Sequence, residues 1–436
     1  MSINETSVTF KRNDRRIVNS WAFFDWANSA FALVITAAIF PAYFVAVTDD
    51  FVPLFGMEIS NSSLYAYAIS ASYLLIAFFS PLLSGIADYG GKRKFFLKFF
   101  TILGSLSCLT LFFFQGMDQL ALGTIAFILA MIGFAGALVF YNAFLPVIVT
   151  EDRYDMVSAR GFAFGYIGSV ILLLFNLAMI TSPQTFGIAD EGVATRLSFV
   201  LVGLWWIGFA MIPFKWLPSD EKGKVKRAMI RMGVEELKRV WRSVKQEKNI
   251  KSFLLSFFAY SAGVQTILFL AATFAEKELA FGTSELILVI LILQLVAIAG
   301  AYLFAKFSEW QGNKTALLTM LLIWVAICMA AYFVQAKAQF YMVAAAVGLV
   351  MGGIQSLSRS TYSKLIPENT EDPTSYFSFY DVLEKVAILL GTFSFGLIEQ
   401  LTGDIRSSVL FMAAFFIIGM ILLLPVKIEH SLEPKA

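Results

Sequence analysis

The sequence predicts an all-α integral membrane protein with twelve transmembrane helices, arranged as two six-helix bundles related by pseudo-symmetry. Three observations support this fold class. The chain of 436 residues is 58% hydrophobic, well above the apolar fraction of about 45–50% that soluble domains contain. Apolar stretches of about 20 residues, the length of helix that crosses roughly 30 Å of hydrocarbon, recur along the whole chain. The two halves of the chain also carry similar motifs at matching intervals.

Short polar loops separate the twelve predicted helices. The first helix follows a basic stretch from Lys11 to Arg16, and it is longer than the apolar core of a signal peptide. We therefore predict that it is retained as a transmembrane helix. In chain order the predicted segments are 21–47, 64–86, 95–114, 120–145, 161–181, 196–214, 252–274, 285–306, 315–336, 340–360, 376–400 and 406–426.

The distribution of Lys and Arg indicates which loops face the cytoplasm, because basic loops remain on the inner side of a membrane. With both termini inside, all but five of the 33 Lys and Arg residues lie in inner segments. The exceptions are Arg196, Lys277, Lys337 and Arg406 in outer loops and Lys385 within a helix. This bias predicts cytoplasmic termini, and the expected location is the bacterial cytoplasmic (inner) membrane.

A long basic segment divides the twelve helices into two groups of six. Its apolar residues, among them Val240 and Val244, recur at helical spacing among Lys and Arg residues. This pattern predicts an amphipathic helix held at the inner membrane surface by anionic lipid, the alternative being a solvated linker. The predicted organisation is a cytoplasmic N-terminal segment (1–20), an N-terminal bundle (21–214), this linker (215–251), a C-terminal bundle (252–426) and a cytoplasmic tail (427–436).

Several features recur about 220 residues apart, which indicates that the two bundles are copies of one repeat. Thr-Glu-Asp at 150–152 recurs at 370–372, and Cys108 and Cys328 have the same separation of 220 residues. The second and eighth segments end in similar loops, in which Asp88 corresponds to Glu309 at an offset of 221. A parallel repeat of this kind places a solute site between the halves, and rocking of the halves exposes that site to each side in turn. Neither cysteine is expected to form a disulfide, because both lie within apolar segments.

Several stretches of the chain carry a family resemblance. The loop at 84–94, SGIADYGGKRK, resembles the motif that major facilitator superfamily proteins have between their second and third helices. One branch of that superfamily, named after the autophagy-related vacuolar effluxer, is resembled by WAFFDWANSAFA (21–32), FYNAFLP (140–146), SARGFAFGYIGS (158–169) and GGIQSLSRSTYSKLIP (352–367). The resemblance covers the whole chain. It implies the major facilitator fold and a secondary transporter, and fungal members of the branch are thought to export amino acids from the vacuole.

Polar residues inside the apolar segments are the candidates for solute binding or proton coupling, because each of them needs a protein partner or a water-filled cavity. For the amide side chains, hydrogen bonds between helices are an equally open alternative. A cytoplasmic gate is a further alternative for the candidates at the inner ends of helices four and ten. The candidates are Asp25, Asn28, Tyr141, Asn142, Gln265, Gln294, Gln355, Arg359, Tyr380, Asp381, Glu384 and Lys385.

The eleventh segment is unusual because it carries three charges. Asp381 and Lys385 are four residues apart on one helix face and are expected to pair. Glu384 is then left without a partner, about 12 Å along the helix at 1.5 Å per residue. That position makes Glu384 the first candidate for a proton carrier, with Asp25 the second. The alternative is an internal ion cluster that ties helices together, with Arg359 balancing Glu384.

The inner loops contain candidate gating residues, whose salt bridges are expected to hold the inner side closed and to break when the halves rock. We expect Asp88 to contact Arg160 or the N-terminus of helix eleven. Charges that only set the membrane topology are the alternative. The gating candidates are Asp88, Gly91, Arg93, Glu151, Arg160 and Glu309.

Together these features predict a secondary active transporter that moves a small polar solute, amino acids being the expected class, by rocker-switch alternating access, with proton coupling left open. A zwitterion placed between Arg and carboxylate groups would find a partner for each of its charges. The alternative is an exporter of drugs or other amphipathic compounds on the same scaffold, which the 45 Phe residues keep open.

Other function classes find little support in the sequence. Neither a phosphate-binding GxxxxGK[ST] loop nor a zinc-binding HExxH motif is present. An ATP-driven pump is therefore not supported, and we expect no enzyme activity, no cofactor, no metal and no nucleic-acid partner. The expected partners are the lipid bilayer, the small-molecule solute and, where coupling applies, protons.

Overall fold

The computed structural model describes residues 10–54, 57–219, 228–367, 370 and 372–428. Each of the twelve predicted segments coincides with helix in this part of the chain. Ten helical segments there are long and apolar enough to cross a membrane. The predicted seventh and eleventh segments fall in helices of 32 and 30 residues, which pack among the others. Parts of the predicted N-terminal segment, linker and tail (1–9, 220–227 and 429–436) lie outside the described residues, as does Glu371.

The first predicted segment changes its type of helix halfway along. It consists of α1 (Arg15–Ala30), a π-helical stretch (Phe31–Ile39) and α2 (Phe40–Val47). Asp14 caps α1 by accepting hydrogen bonds from backbone N–H groups of its first turn. Pro41 lies in the first turn of α2 and has no N–H to donate to the preceding turn, and the Phe40 N–H bonds the carbonyl of Ile35, five residues back.

Helices and one short hairpin form the rest of the N-terminal half. The Gly91 backbone has φ of 59°, the left-handed conformation that glycine adopts most easily, and it makes the tight turn between two spans. The elements are β1 (Phe51–Leu54), β2 (Met57–Ser60), α3 (Asn61–Gly90), α4 (Arg93–Thr110), α5 (Leu120–Asn142), α6 (Leu145–Ile148), α7 (Tyr154–Thr181) and α8 (Glu191–Trp216).

The second half repeats the pattern after a linker helix. The elements are the linker helix α9 (Ala228–Gln246), then α10 (Lys248–Leu279), α11 (Thr283–Gln311), α12 (Asn313–Phe333), α13 (Lys337–Leu365), α14 (Pro373–Thr402) and α15 (Ile405–Leu423). Each half has its own hydrophobic core, with Trp206 fully buried in the first and Trp324 in the second. Cys108 and Cys328 are free and buried in these cores.

The basic ends of the helices meet on one side of the protein, which we call the basic side. The Asn13 N–H donates to the Ile148 carbonyl at 2.9 Å, so the start of α1 lies beside the end of α6. Lys94 Nζ donates to the Leu217 carbonyl at 2.6 Å, which joins the start of α4 to the end of α8. Lys314 makes the corresponding bond to the Leu424 carbonyl in the second half. The chain therefore returns to the same side after every second span.

The linker helix α9 packs against protein at the basic side. Val240 and Val244 are buried in the core of the second half, and the helix packs against α3 and α14. The Ser243 and Tyr376 hydroxyl oxygens are 3.0 Å apart, and the Trp241 ring lies 5.2 Å from that of Phe379. The predicted amphipathic helix is thus present over Ala228–Gln246, and its apolar face contacts the start of α14.

Candidate functional site

A cavity of about 370 Å³ lies between the two halves. Helices α1, α3, α5 and α7 contribute its wall on one side, and α10, α11, α13 and α14 contribute it on the other. Ten of the twelve predicted binding or coupling residues line the cavity. Tyr141 and Asp381 are the two that do not, and each contacts a residue that does.

An ion pair between the halves forms the floor of the cavity, its end nearest the basic side. Arg359 Nη1 lies 3.2 Å from Asp25 Oδ2, and both side chains are buried. The Tyr141 hydroxyl donates to the same oxygen at 2.7 Å. Arg359 also donates to Asn142 Oδ1 at 3.3 Å and to the hydroxyl and carbonyl oxygens of Ser158, each at 2.9 Å. The alternative in which Arg359 balances Glu384 is therefore wrong on this point, because the carboxylate that contacts Arg359 is that of Asp25.

Aromatic rings cover the faces of the same guanidinium group. Arg359 Cζ lies 4.7 Å from the centre of the Trp21 ring and 4.3 Å from that of Phe162. A planar guanidinium can stack flat on such rings, in addition to the attraction between its charge and the ring faces. Gly161 lets α7 approach this closely, since a Cβ there would lie 2.5 Å from Asp25 Oδ2 and 2.9 Å from Arg359 Nη2. Protein thus packs closely around the pair at the cavity floor.

A second charged cluster lies on α14. Lys385 Nζ is 3.1 Å from Asp381 Oδ1, so the predicted pair four residues apart is present. The same Nζ is 2.8 Å from Glu384 Oε2, and Gln265 Nε2 donates to Glu384 Oε1 at 3.1 Å. The expectation that Glu384 lacks a partner is therefore wrong. Glu384 is nevertheless the most accessible of the three side chains, with 24% of its surface exposed against 6% for the other two.

Several cavity residues were not among the sequence candidates. The Tyr166 hydroxyl donates to Gln355 Oε1 at 2.6 Å and joins the two halves at the floor. The hydroxyl oxygens of Tyr260 and Ser358 lie 2.7 Å apart in the second half. Tyr73 of α3 contacts the α14 cluster, with Lys385 Nζ 5.6 Å from the centre of its ring. Tyrosine and serine are common in apolar helices, so their sequence positions alone did not distinguish them.

Asp88 closes the basic side below the cavity floor. Its Oδ2 accepts a hydrogen bond from the Ser375 N–H at 2.6 Å, and its Oδ1 accepts one from the Thr374 N–H at 3.3 Å. These are free N–H groups at the N-terminus of α14, where a carboxylate is stabilised. Arg93 lies 3.5 Å from Asp88 and donates from Nε to Thr374 Oγ1 at 2.9 Å. Of the two contacts expected for Asp88, the structure has the one with the N-terminus of the eleventh predicted segment, which is α14. Arg160 instead donates to Asn19 at 3.0 Å.

A second closure on the basic side centres on Asp155 at the start of α7, which sequence reasoning missed. Its carboxylate accepts hydrogen bonds from Ser308 Oγ at 2.9 Å and from Asn313 Nδ2 at 2.8 Å. Lys364 Nζ lies 2.8 Å from the same carboxylate. All but Asp155 belong to the second half, so this network also joins the halves. In the sequence, Asp155 could not be distinguished from the other charged residues of the inner loops.

The remaining gating candidates lie at the edge of these networks. Glu309 is exposed, and its neighbour Ser308 makes the contact that corresponds to that of Asp88. Glu151 begins a short 3-10 turn before α7 and is half-buried. Because Ser308 and not Glu309 takes the place of Asp88, the offset between the two copies is 220 here and not the predicted 221.

One family model and several known proteins are similar to this chain over most of its length. The family model described as "Vacuole effluxer Atg22 like" matches residues 13–436. The uncharacterized MFS-type transporter YxiO of Bacillus subtilis is 33% identical over 417 residues, which cover 95% of this chain and 96% of that protein. Autophagy-related protein 22-1 of Aspergillus clavatus is 25% identical over 469 residues, covering 86% of this chain and 75% of that protein.

Solved structures show a similar fold at low sequence identity. The transporter FucP of the major facilitator superfamily (MFS), in its outward conformation, has a TM-score of 0.68 at 15% identity, over 94% of this chain and 97% of that chain. The human organic anion transporter MFSD10 has a TM-score of 0.72 at 12% identity, over 95% of this chain and 100% of that chain. At these identities the likeness concerns the fold alone.

Proposed function

The chain belongs to the family of Atg22-like vacuole effluxers and is an MFS-type transporter, and from this premise we propose that it carries amino acids or similar small polar solutes by rocker-switch alternating access. The observation that carries the proposal is the cavity between the halves, whose wall combines buried charges and amides from both of them. Buried charges are costly within a membrane and are retained where they serve a passage or a partner.

Contacts between the halves support alternating access. The Asp88 and Asp155 networks and the Asp25–Arg359 pair all join one half to the other, from the basic side up to the cavity floor. On the opposite side, three described ion pairs stay within the second half: Lys277–Glu399, Lys337–Glu285 and Arg406–Glu278. We take the structure as closed on the basic side, and opening that side would break the contacts between the halves.

The proposed setting follows from the basic loops. We propose that the basic side faces the cytoplasm, with both termini inside and the protein in the cytoplasmic membrane of a bacterium. The relative in Bacillus subtilis supports a bacterial setting.

Proton coupling is part of the proposal, with Glu384 as the carrier and Asp25 as the second candidate. Glu384 is the carboxylate of the α14 cluster that is most accessible from the cavity. Asp25 also lines the cavity, and Arg359 and the Tyr141 hydroxyl both contact its carboxylate.

A second candidate function, export of amphipathic compounds, is favoured by the apolar part of the wall. Phe134, Phe162 and Phe257 line the cavity together with many aliphatic side chains. Such a surface suits apolar rings, and drug-sized solutes fill mostly apolar pockets.

Uptake into proteoliposomes separates these candidates. Purified protein is reconstituted and tested with a panel of labelled amino acids and with labelled amphipathic cations, each with and without a pH gradient. We expect protein-dependent amino-acid uptake that competing amino acids inhibit. Uptake of amphipathic compounds alone would replace the first candidate with the second, and no uptake of either would contradict both.

A further inference from the structure

We propose that the cavity recognises the protonated amino group of its solute at Glu384 and discriminates against solutes with net negative charge. The inference rests on the proposed function, since it takes the cavity to be the solute site. It goes further by naming which charge of the solute is bound.

The charges around the cavity do not balance. Asp25 and Arg359 form one neutral pair. On α14 two carboxylates, Asp381 and Glu384, share the single ammonium group of Lys385. The described charged groups at the cavity therefore sum to one negative charge. In a poorly hydrated site such an excess attracts a cation strongly.

Groups of the protein already contact both cations of the cavity. Each of the three guanidinium nitrogen atoms of Arg359 donates to a protein oxygen, and aromatic rings cover its faces. Lys385 is 6% exposed and lies between Asp381 and Glu384. A solute carboxylate would have to compete with the carboxylates of the protein for either cation. The expectation that a zwitterion finds a partner for each of its charges therefore holds for its amino group only.

Two residues that line the cavity have a side-chain oxygen atom that lacks a donor. Asn28 Oδ1 and Gln294 Oε1 are buried and accept no hydrogen bond from the described residues. Both residues line the cavity, and Asn28 is only 1% exposed. Buried acceptors without a donor are unfavourable. An ammonium group carries three donors and no acceptor, so it can satisfy such oxygens, whereas a carboxylate cannot.

Aromatic rings complete the surroundings. Tyr73, Tyr260, Tyr380 and Phe257 line the cavity together with Glu384. The negative faces of such rings attract cations and give no comparable attraction to anions.

The experiment uses four leucine compounds in two pairs of nearly equal size, and the members of each pair differ by one charge. Leucinamide is a cation, leucine a zwitterion, N-acetyl-leucinamide uncharged and N-acetyl-leucine an anion. Their binding to the purified full-length protein is measured by thermal stabilisation, and their movement by counterflow in proteoliposomes. We expect leucinamide to bind at least as tightly as leucine, and both acetylated compounds to bind at least roughly tenfold more weakly.

A variant and a matched control locate the charge. Glu384→Gln should weaken the binding of leucinamide by roughly tenfold, since the net negative charge is lost. Glu399→Gln, which removes a partly exposed carboxylate paired with Lys277 on the opposite side, should leave binding unchanged. The ranking of the four compounds with the unmodified protein tests the inference even where Glu384→Gln fails to fold.

The outcomes separate the inference from the proposed function. Equal or tighter binding of N-acetyl-leucine, or no binding by any of the four compounds, overturns the inference. Binding in the expected order without counterflow contradicts amino-acid transport and leaves the recognition of the amino group standing. Counterflow of all four compounds at equal rates supports transport and overturns the inference.

Discussion

Ser308 at the end of α11 occupies the place that Asp88 has at the end of α3, 220 residues earlier, yet it carries no charge. The acid of the second network stands instead on the opposing helix, as Asp155 at the start of α7, the position that Ser375 has on α14. Asn313 and Arg93 are related by the same offset of 220. The two closures on the basic side thus have the same layout, with the carboxylate on different partners.

This exchange predicts that the carboxylate of the second network can be moved from position 155 to position 308. Asp155→Ser alone leaves Lys364 without its carboxylate and should cost about 3–5 kcal/mol, the usual effect of breaking a buried ion pair. Adding Ser308→Asp returns a carboxylate to the network and should recover part of the thermal stability. Melting of the two variants and the parent in detergent checks this. A double variant no more stable than Asp155→Ser would show that the two halves are not interchangeable here.

Gly161 provides a way to disturb the Asp25–Arg359 pair without changing either charge. Gly161→Ala should cost about 1–3 kcal/mol, because its methyl group would press on both members of the pair. Gly396→Ala is the control, since a Cβ there meets nothing within 4 Å. Thermal unfolding and counterflow measure the effect. If both variants unfold at the same temperature and show the same counterflow, the cavity floor accommodates the added methyl group at little cost.

Glu384→Gln tests the proton carrier. At saturating solute, the variant should lose accumulation driven by a pH gradient and retain exchange of solute across the membrane, because its amide cannot carry a proton but can still accept a hydrogen bond. Uptake and exchange in proteoliposomes give the two readouts, with Glu399→Gln as control. Unchanged accumulation would eliminate the proton role of Glu384.

The exposed face of α9 should respond to anionic lipid. Lys238 and Arg242 are exposed there, and Trp241 is 45% exposed between them. Each basic residue near an anionic surface contributes about 1 kcal/mol, so Lys238→Glu with Arg242→Glu should remove the protection that anionic lipid gives to α9 amides. Hydrogen exchange in nanodiscs of anionic and of zwitterionic lipid measures it. Equal exchange of the parent protein in both lipids would support the solvated-linker alternative.

Asp404 caps α15 and gives a prediction for pH. The Ser407 hydroxyl and the N–H groups of Arg406 and Ser407 donate to its carboxylate and hold the pKa of Asp404 below the usual 3.8. Because the folded-state pKa is lowered, the stabilisation is complete above the ordinary value and is lost as the pH falls through the folded-state value. Asp404→Ala should cost about 1 kcal/mol at neutral pH and less in strong acid, where the protonated carboxyl group accepts only the weaker hydrogen bonds of a neutral cap. Melting at both pH values checks this.

The sequence was most informative where a single helix decides the outcome. Length and apolar content located the spans, because the thickness of the bilayer sets both. Helical spacing alone placed Asp381 next to Lys385. The polar residues that line the cavity stood out because an apolar helix has few reasons to contain them.

Partners from distant parts of the chain could not be read in the same way. Asp25 and Arg359 are 334 residues apart, and the packing of α7 against both α1 and α13 brings them together. Asp155 and Glu309 were misjudged in opposite directions, since Glu309 was a gating candidate and Asp155 was not. Both are acids near helix ends, and only the orientation of each side chain decides that Asp155 is buried and Glu309 exposed.

The two cysteines have a practical consequence for watching this protein move. The chain contains only Cys108 and Cys328, and both are fully buried in the two cores. Neither thiol is open to maleimide dyes or spin labels in the folded protein, so a pair of introduced cysteines can be labelled on the natural background. Distances between one label on each half would then report directly on how far the halves turn.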